Sequence, residues 1–248
     1  MEVLGVDIGG SGIKAAPVNV ETGAMTAQRF RLPTPEGASP AEVAEVVRQL
    51  VDHSAWTGPI GCGFPAVVHH GVVYSAANIA KEWIGVNGEY LFKSITRCPV
   101  YLVNDADAAG MAEMSFGIGR NLTKGVVVML TLGTGIGSAV FVNGELLPNT
   151  ELGHLEIRGK DAEKRASDAV RQRKNLYWDE WGGRLQEYLS TLERLIWPDV
   201  IIIGGGVSKE ADKFLPYLKL RAKIMPAQLL NQAGIVGAAV YAASRLSA

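Results

Sequence analysis

Short apolar runs closed by clusters of glycine set the rhythm of the chain. Val3–Val6 is apolar almost throughout and ends at Asp7-Ile8-Gly9-Gly10-Ser11-Gly12, after which Ile13–Val18 turns apolar again. Such runs bounded by turn residues predict buried strands, so this pair predicts a hairpin around a glycine turn. Met25–Leu32 predicts a third strand. Ser39-Pro40-Ala41-Glu42 reads as a helix start, with a capping serine, proline at the first helical position and a glutamate that reaches back. Val43, Val46, Val47 and Leu50 follow at helical spacing and carry that helix to about His53. Pro59–Gly63 and Val72–Tyr74 predict strands, and Ser75–Trp83 an irregular loop. Val100–Val103 predicts a buried strand, followed by a helix over Ala106–Ser115 that Asp105 or Asp107 starts.

The second half repeats the opening. Gly125–Leu130 is a strongly apolar strand ending at Thr131-Leu132-Gly133-Thr134-Gly135-Ile136-Gly137-Ser138, and Ala139–Val142 returns. A shift of 124 residues lays Val3–Asn19 on Val127–Asn143, with identity at Val3, Gly9, Ala15, Val18 and Asn19. The shared order of strand, glycine turn, strand and terminal asparagine predicts a duplication. Two such halves facing each other would make a cleft with a phosphate loop on each side. Helices are predicted over Asp161–Arg171 and Leu176–Ile196, then a strand over Val200–Ile203 ending in Gly204-Gly205-Gly206, and a final small-residue helix over Asn231–Arg245.

Composition narrows the class. At 248 residues, with 48% hydrophobic and 20% charged positions, the chain is an ordinary globular protein of one large or two small domains. A net charge of -1 gives no global attraction to nucleic acid or membrane. Cys62 and Cys98 cannot build a disulfide framework or a cysteine-rich zinc site, which favours a reducing, cytoplasmic setting. Met1–Val6 runs into a strand without a basic leader, and the longest apolar run, Gly234–Ala243, is well short of the roughly 20 residues a membrane span needs.

The chemistry gathers at the glycine turns and strand ends. Glycines let backbone approach a phosphate and aim N–H groups at it, Ser11 adds a hydroxyl donor, and Lys14 a positive charge. Asp7, at a strand end, suits a hydrated Mg²⁺ near those phosphates. Asn104-Asp105 sits where a strand of an open α/β sheet ends, which is where ligands bind in such folds. Asp105 reads as a general base for a substrate hydroxyl and Asn104 as its positioning partner; taken alone, the pair also fits a plain strand-to-helix turn. Asn78 and the small residues around it suit the lining of a polar pocket that Trp83 could wall, although Trp83 taken alone reads better as an ordinary packing residue. Glu151 and His154, three apart, suit a vicinal-diol clamp or half of a zinc site, although no cysteine follows. Arg158–Lys174 holds seven basic and three acidic residues, and fits either a solvated helix face or a groove for a polyanion.

In this order, the segments resemble the ROK family (repressors, open reading frames and kinases) over almost the whole chain. Asp7-Ile8-Gly9-Gly10-Ser11-Gly12 looks like its first phosphate loop, and Thr131-Leu132-Gly133-Thr134-Gly135-Ile136-Gly137 like its second. Ile202-Ile203-Gly204-Gly205-Gly206-Val207 looks like its nucleotide-side motif. Asn104-Asp105 is similar to its sugar-binding asparagine and catalytic aspartate, and Glu151-x-x-His154 to its sugar-binding pair. The resemblance implies an actin-like (ribonuclease H-like) duplicated α/β fold. It divides the chain into residues 1–106 with a C-terminal helix at about 232–248, and residues 107–231. Aligning Ala166-Ser167 places Glu163 on the family's last sugar-binding glutamate, so Asn78, Asn104, Glu151, His154 and Glu163 are the expected sugar ligands.

Two departures stand out. Asp161-Ala162-Glu163-Lys164-Arg165-Ala166-Ser167 occupies the place of the cysteine cluster with which most members bind structural zinc, so no zinc is expected. Gly12 stands where many members carry lysine, with Lys14 two residues on. The short chain, Gly10-Ser11-Gly12-Ile13-Lys14 and the missing cysteines resemble the actinobacterial polyphosphate glucokinases within the family. That branch phosphorylates glucose, sometimes mannose, from inorganic polyphosphate, with or without ATP. The expectation is a Mg²⁺-dependent, cytoplasmic, homodimeric kinase of the glucose 6-hydroxyl, with Asp105 as base. The rivals are a strictly ATP-dependent hexose kinase of the same family, a sugar-responsive regulator, and an actin-like assembly protein. The regulator needs a DNA-binding domain, for which a strand beginning at Val3 leaves no room. The assembly protein has no use for a sugar clamp.

Overall fold

The first hairpin forms around its glycines. β1 (Glu2–Gly9) pairs antiparallel with β2 (Gly12–Asn19), placing Asp7 opposite Lys14 and Gly9 opposite Gly12. Of the run predicted as a third strand only β3 (Phe30–Leu32) pairs along β2; Met25 makes a single bridge to Val18. Thr26–Arg29 is exposed throughout and offers no apolar face to hold a strand. β4 (Ile60–Phe64) and β5 (Val100–Asn104) join in parallel, giving the order β3-β2-β1-β4-β5. This is a computed structural model, and it describes residues 1–77 and 79–246. The chain divides into two units, Met1–Phe116 with Gln232–Ala248, and Gly117–Asn231.

In the first unit strand alternation sorts the two faces of the sheet. Leu4, Val6 and Ile8 of β1 join Val43, Val47 and Leu50 of α1 (Pro40–His53) in one cluster. The predicted capping box is present: Ser39 Oγ accepts from the Glu42 N–H at 3.4 Å, and Glu42 Oε2 accepts from the Ser39 N–H at 3.0 Å. α2 (Gly88–Thr96), which the pattern did not reveal, is capped by Asn87, whose Oδ1 accepts from the Tyr90 N–H at 2.8 Å. Of the two readings of Trp83, packing residue or pocket wall, the structure shows the first. It is fully buried in this core, edge-on to Phe64 at 4.6 Å and to Phe92 at 5.8 Å, with its N–H donated to Ala38 O at 3.0 Å, so it walls no pocket. Gly5, between Leu4 and Val6, faces the other way, onto the C-terminal helix Ala233–Leu246. That helix also lies on β4 and on α3 (Asp105–Phe116) at backbone contact: a Cβ on Gly61 would stand 1.9 Å from Ala238 O, and one on Gly237 1.6 Å from Ala108 O.

The second unit repeats the topology. β6 (Val126–Leu132), β7 (Ile136–Val142), β8 (Glu145–Leu147), β9 (Val200–Gly204) and β10 (Lys223–Pro226) lie in the order β8-β7-β6-β9-β10. As in the first sheet, the first two pairings are antiparallel and the last two parallel, which supports the duplication. β8 and β10 were not predicted; β10 is an edge strand ending in a proline, where the ladder needs no further donor. The basic stretch is not the predicted single helix. Glu156–Ile157 pairs with Lys160–Asp161 through a two-residue turn in which Arg158 and Gly159 have φ of 52° and 73°. α4 (Glu163–Ala166) and α5 (Asp168–Arg173) follow, separated by Ser167 in extended conformation. α6 (Trp178–Ile196) buries Trp181, Leu185, Tyr188, Leu189 and Leu192. No helix of the described residues is long and apolar enough to cross a membrane.

The Gly237 contact generates a test. Gly237→Ala must push the C-terminal helix off α3, and the strain is expected to lower unfolding free energy by about 1–3 kcal/mol or more. Urea unfolding reads this directly, and wild-type stability in the variant would refute the close approach.

Candidate active site

The first glycine loop is a two-residue turn with Gly10 and Ser11 exposed at its tip. A Cβ on Gly10 would meet nothing within 4 Å, so the loop is open to a ligand. Below it, Asp7 Oδ2 lies 3.2 Å from Lys14 Nζ, so the lysine faces the aspartate rather than away from it. The first turn of the C-terminal helix abuts this carboxylate: a Cβ on Gly234 would stand 2.8 Å from Asp7 Cγ. Gly12 is covered by Arg31, whose Nε would be 2.4 Å from a Cβ there and whose Nη2 donates to Ser11 O. Thr34 Oγ1 donates to Gly9 O. A cavity of about 300 Å³ adjoins this loop, lined by Gly9, Gly10, Thr34, Pro65, Ala77 and Ile79 among others. Asn78 lies outside the described residues.

At the end of β5 the backbone fixes Asn104. Its Oδ1 accepts from the Ala106 N–H at 2.9 Å and the Asp107 N–H at 3.1 Å, and its Nδ2 donates to Ala66 O at 3.1 Å. Asn104, and not Asp105 or Asp107, therefore starts α3, and one Nδ2 hydrogen is left over for a ligand. Asp105, the first residue of α3, is half-buried, with Oδ1 2.8 Å from the Ala106 nitrogen.

In the second unit, the turn Gly133-Thr134-Gly135 is closed by the Gly133 N–H donating to Gly135 O at 3.1 Å, with Thr134 exposed. Thr131 pairs with Gly137 on one side and Gly204 on the other. The third glycine turn lies directly on the second: Gly205 has φ of 84°, and a Cβ there would stand 2.3 Å from Leu132 O. Gly204 is buried in β9 and Gly206 is exposed.

The Glu151–His154 turn rests on β7. A Cβ on Gly153 would be 2.1 Å from Ile136 O, so only glycine lets this turn seat. Buried Ser138 donates to Thr150 O at 2.6 Å and accepts from the Leu152 N–H at 2.9 Å, fixing both sides of Glu151. His154 Nε2 lies 3.7 Å from Glu151 Oε2, and its Nδ1 3.8 Å from Asp161 Oδ2. Glu163, opening α4, accepts from the Ile136 N–H at 3.3 Å. Ligand atoms of His154, Asp161 and Glu163 all lie within 4.8 Å of one another, close enough to hold a metal ion, but Lys164 Nζ is already paired with Asp161. Burial holds the Glu151 carboxyl above the usual glutamate range, His154 opposes the shift, and Glu163 adds to it. Carboxylates that accept and an imidazole that donates or accepts together suit a polyol.

The ROK family description matches residues 3–168 of the chain. The polyphosphate glucokinase of Mycobacterium tuberculosis (strain CDC 1551 / Oshkosh) is 47% identical over 238 residues, covering 96% of this chain and 89% of that protein. The chain belongs to the ROK family. Among solved structures, the inorganic polyphosphate/ATP-glucomannokinase of Arthrobacter sp. strain KM superposes with a TM-score of 0.94 at 48% identity, covering 98% of this chain and 99% of that one. A ROK family glucokinase from Streptomyces griseus, solved with glucose and AMPPNP, shares the fold at a TM-score of 0.84 and 24% identity, over 98% and 100% of the two chains. The duplicated sheets are thus the actin-like fold of ROK kinases.

In this ROK chain the sequence reading did not single out Arg31, Ser138, Asp161 or Gly234. Arg31 is opposite Lys14 across the β2–β3 register, a signal available once that pairing is known. Asp161 was hidden by reading its segment as helix. The environment of Glu151 gives a prediction. Followed by carbon-13 NMR of its carboxyl, Glu151 should titrate above an ordinary glutamate. Glu163→Gln removes a like charge and should bring the midpoint down; His154→Ala removes a favourable charge and should send it up. An unshifted midpoint in both variants would separate these groups.

Proposed function

We propose that this protein phosphorylates glucose at its 6-hydroxyl with inorganic polyphosphate or ATP as donor, and mannose as a second acceptor. The observation that carries this is 47% identity, over nearly the whole chain, to a polyphosphate glucokinase. The glycine loops and the joined Glu151, His154 and Glu163 support it. Asp105 takes the hydroxyl proton as the phosphoryl group arrives, and Asn104 holds it in place through the helix start. Glu151, His154, Glu163, Asn104 and Asn78 are the sugar ligands. Gly9, Gly10, Ser11 and Gly12 with Lys14, Thr131, Gly133, Thr134 and Gly135, and the Gly204–Gly206 turn bind phosphates. Of these, Gly12 and Gly204 act by letting neighbours pack, since both are covered.

Mg²⁺ is the cation of this reading. Asp7, partly exposed beneath the open Gly10 turn, suits a water-mediated contact to a hard cation. When bound, such an ion neutralises charge on the transferred phosphoryl group. Zinc is not required, because the Lys164 ammonium already compensates Asp161 and leaves His154 to the sugar. Purified protein should contain no stoichiometric zinc; one zinc per chain, lost on His154→Ala, would overturn this. A cytoplasmic homodimer completes the proposal, and mass in solution tests the dimer.

Formation of glucose 6-phosphate, assayed separately with polyphosphate and with ATP, tests the activity. Asp105→Asn keeps size and hydrogen bonding but removes the proton acceptor, so turnover should fall at least about 10²-fold, with the glucose KM changed far less. Turnover within a few-fold of wild type would remove Asp105 from the mechanism.

A further inference from the structure

The second unit carries a cavity of about 460 Å³ between the Glu156–Asp161 hairpin, α4 and the start of α6. Arg158, Lys160, Lys164, Arg165, Lys174 and Arg184 all line it. Two carboxylates line it with them, both engaged, and a third, Asp161, holds Lys164 Nζ from outside the lining, so the cations keep a surplus of three. Glu187 takes Arg158 Nε on one oxygen at 2.6 Å and Arg165 Nη2 on the other at 2.9 Å, while Glu180 accepts from the Tyr177 N–H at 3.2 Å. Arg171 and Arg173, from the same basic stretch, do not line the cavity. Arg171 is held by Asp168 at 2.7 Å and stacks over Trp178 at 4.1 Å. The fold thus divides a run of charge that looked uniform in sequence, and adds Arg184 from the next helix, α6.

We infer that this pocket is a binding site for the remote phosphates of an inorganic polyphosphate chain, an inference that rests on the proposed activity. Three observations favour that ligand. The lining is charged throughout except for Gly183, so it offers no aromatic or apolar wall for a nucleotide base. The surplus of like charges repels itself until an anion offsets it. The pocket is also joined to the reaction machinery of its own unit through α4 and α5. Lys164 and Arg165 line the pocket, while Glu163 beside them bonds the Ile136 N–H and the Ala169 N–H bonds Gly133 O at 3.0 Å.

Two variants test the site. The first combines Lys160→Gln, Lys174→Gln and Arg184→Gln. The second, Gly183→Glu, sets a carboxylate into the pocket at a position where a Cβ meets nothing within 4 Å and where glutamate favours the helix over glycine, so loss of fold cannot explain its effect. Long-chain sodium polyphosphate and tripolyphosphate are titrated calorimetrically into wild type and both variants at several salt concentrations. Glucose phosphorylation is followed in parallel. For the long chain, both variants should raise Kd and KM about tenfold or more and flatten the salt dependence. Tripolyphosphate, too short to gain from a remote pocket, should change less, and the glucose KM should hold within about twofold. Variants that bind the long chain as wild type does would overturn the site while leaving polyphosphate-driven turnover, and so the proposed function, standing. Wild type that binds the long chain through this pocket but never turns it over would sink the donor assignment and keep the pocket. Duplex DNA displacing polyphosphate at equal charge concentration would overturn the ligand assigned.

Discussion

Backbone lying on backbone beneath the C-terminal helix constrains the whole first unit. Gly5 and Gly61 on two adjacent strands, and Gly237 on the helix, leave no atom between main chains. The helix can therefore sink onto β1, β4 and α3 at once, and its first turn reaches Asp7 at the strand end. The carboxylate at the first loop is thus placed by rigid elements and not by the loop itself. The loop tip itself, Gly10 and Ser11, stays exposed.

The second unit reuses that plan with different hardware. Its sheet has the same order and sense, but its glycine turn is braced by another glycine turn, Gly205 on Leu132, and by α5 through Gly133. The clamp hangs from β7 by Gly153 and Ser138, a steric permission and a pair of hydrogen bonds. Duplication supplied two loops, and what covers each has diverged: Arg31 and Thr34 over one, the clamp and α4 beside the other.

How much was legible depended on whether a feature is local. The hairpins at residues 2–19 and 126–142 announced themselves because apolar strands and glycine turns are short-range signals. So did the Ser39 capping box and the Asn104-Asp105 strand end. Asp161–Arg171 read as one helix, but Asp161 closes a hairpin whose Arg158-Gly159 turn takes left-handed φ values, and extended Ser167 divides the helix that follows. Arg31 over Gly12 and Asp161 beside His154 depend on register and tertiary packing, to which one-dimensional periodicity is blind. Trp83 could be read as a packing residue from its type alone, but its partners, Phe64 and Phe92 on separate elements, could not.

α4 is a single turn, and its neighbours in sequence serve opposite sides: Glu163 accepts from the Ile136 N–H, while Lys164 and Arg165 face the basic cavity. A turn this short cannot flex internally, since Ala162 O already receives both the Arg165 and Ala166 N–H groups. Glu163, Lys164 and Arg165 are thus carried by one turn. On the proposed assignments, an anion in the cavity and a sugar at Glu163 act on that same turn. By thermodynamic reciprocity, the factor by which an anion in the cavity changes sugar affinity must equal the factor by which sugar changes the anion's.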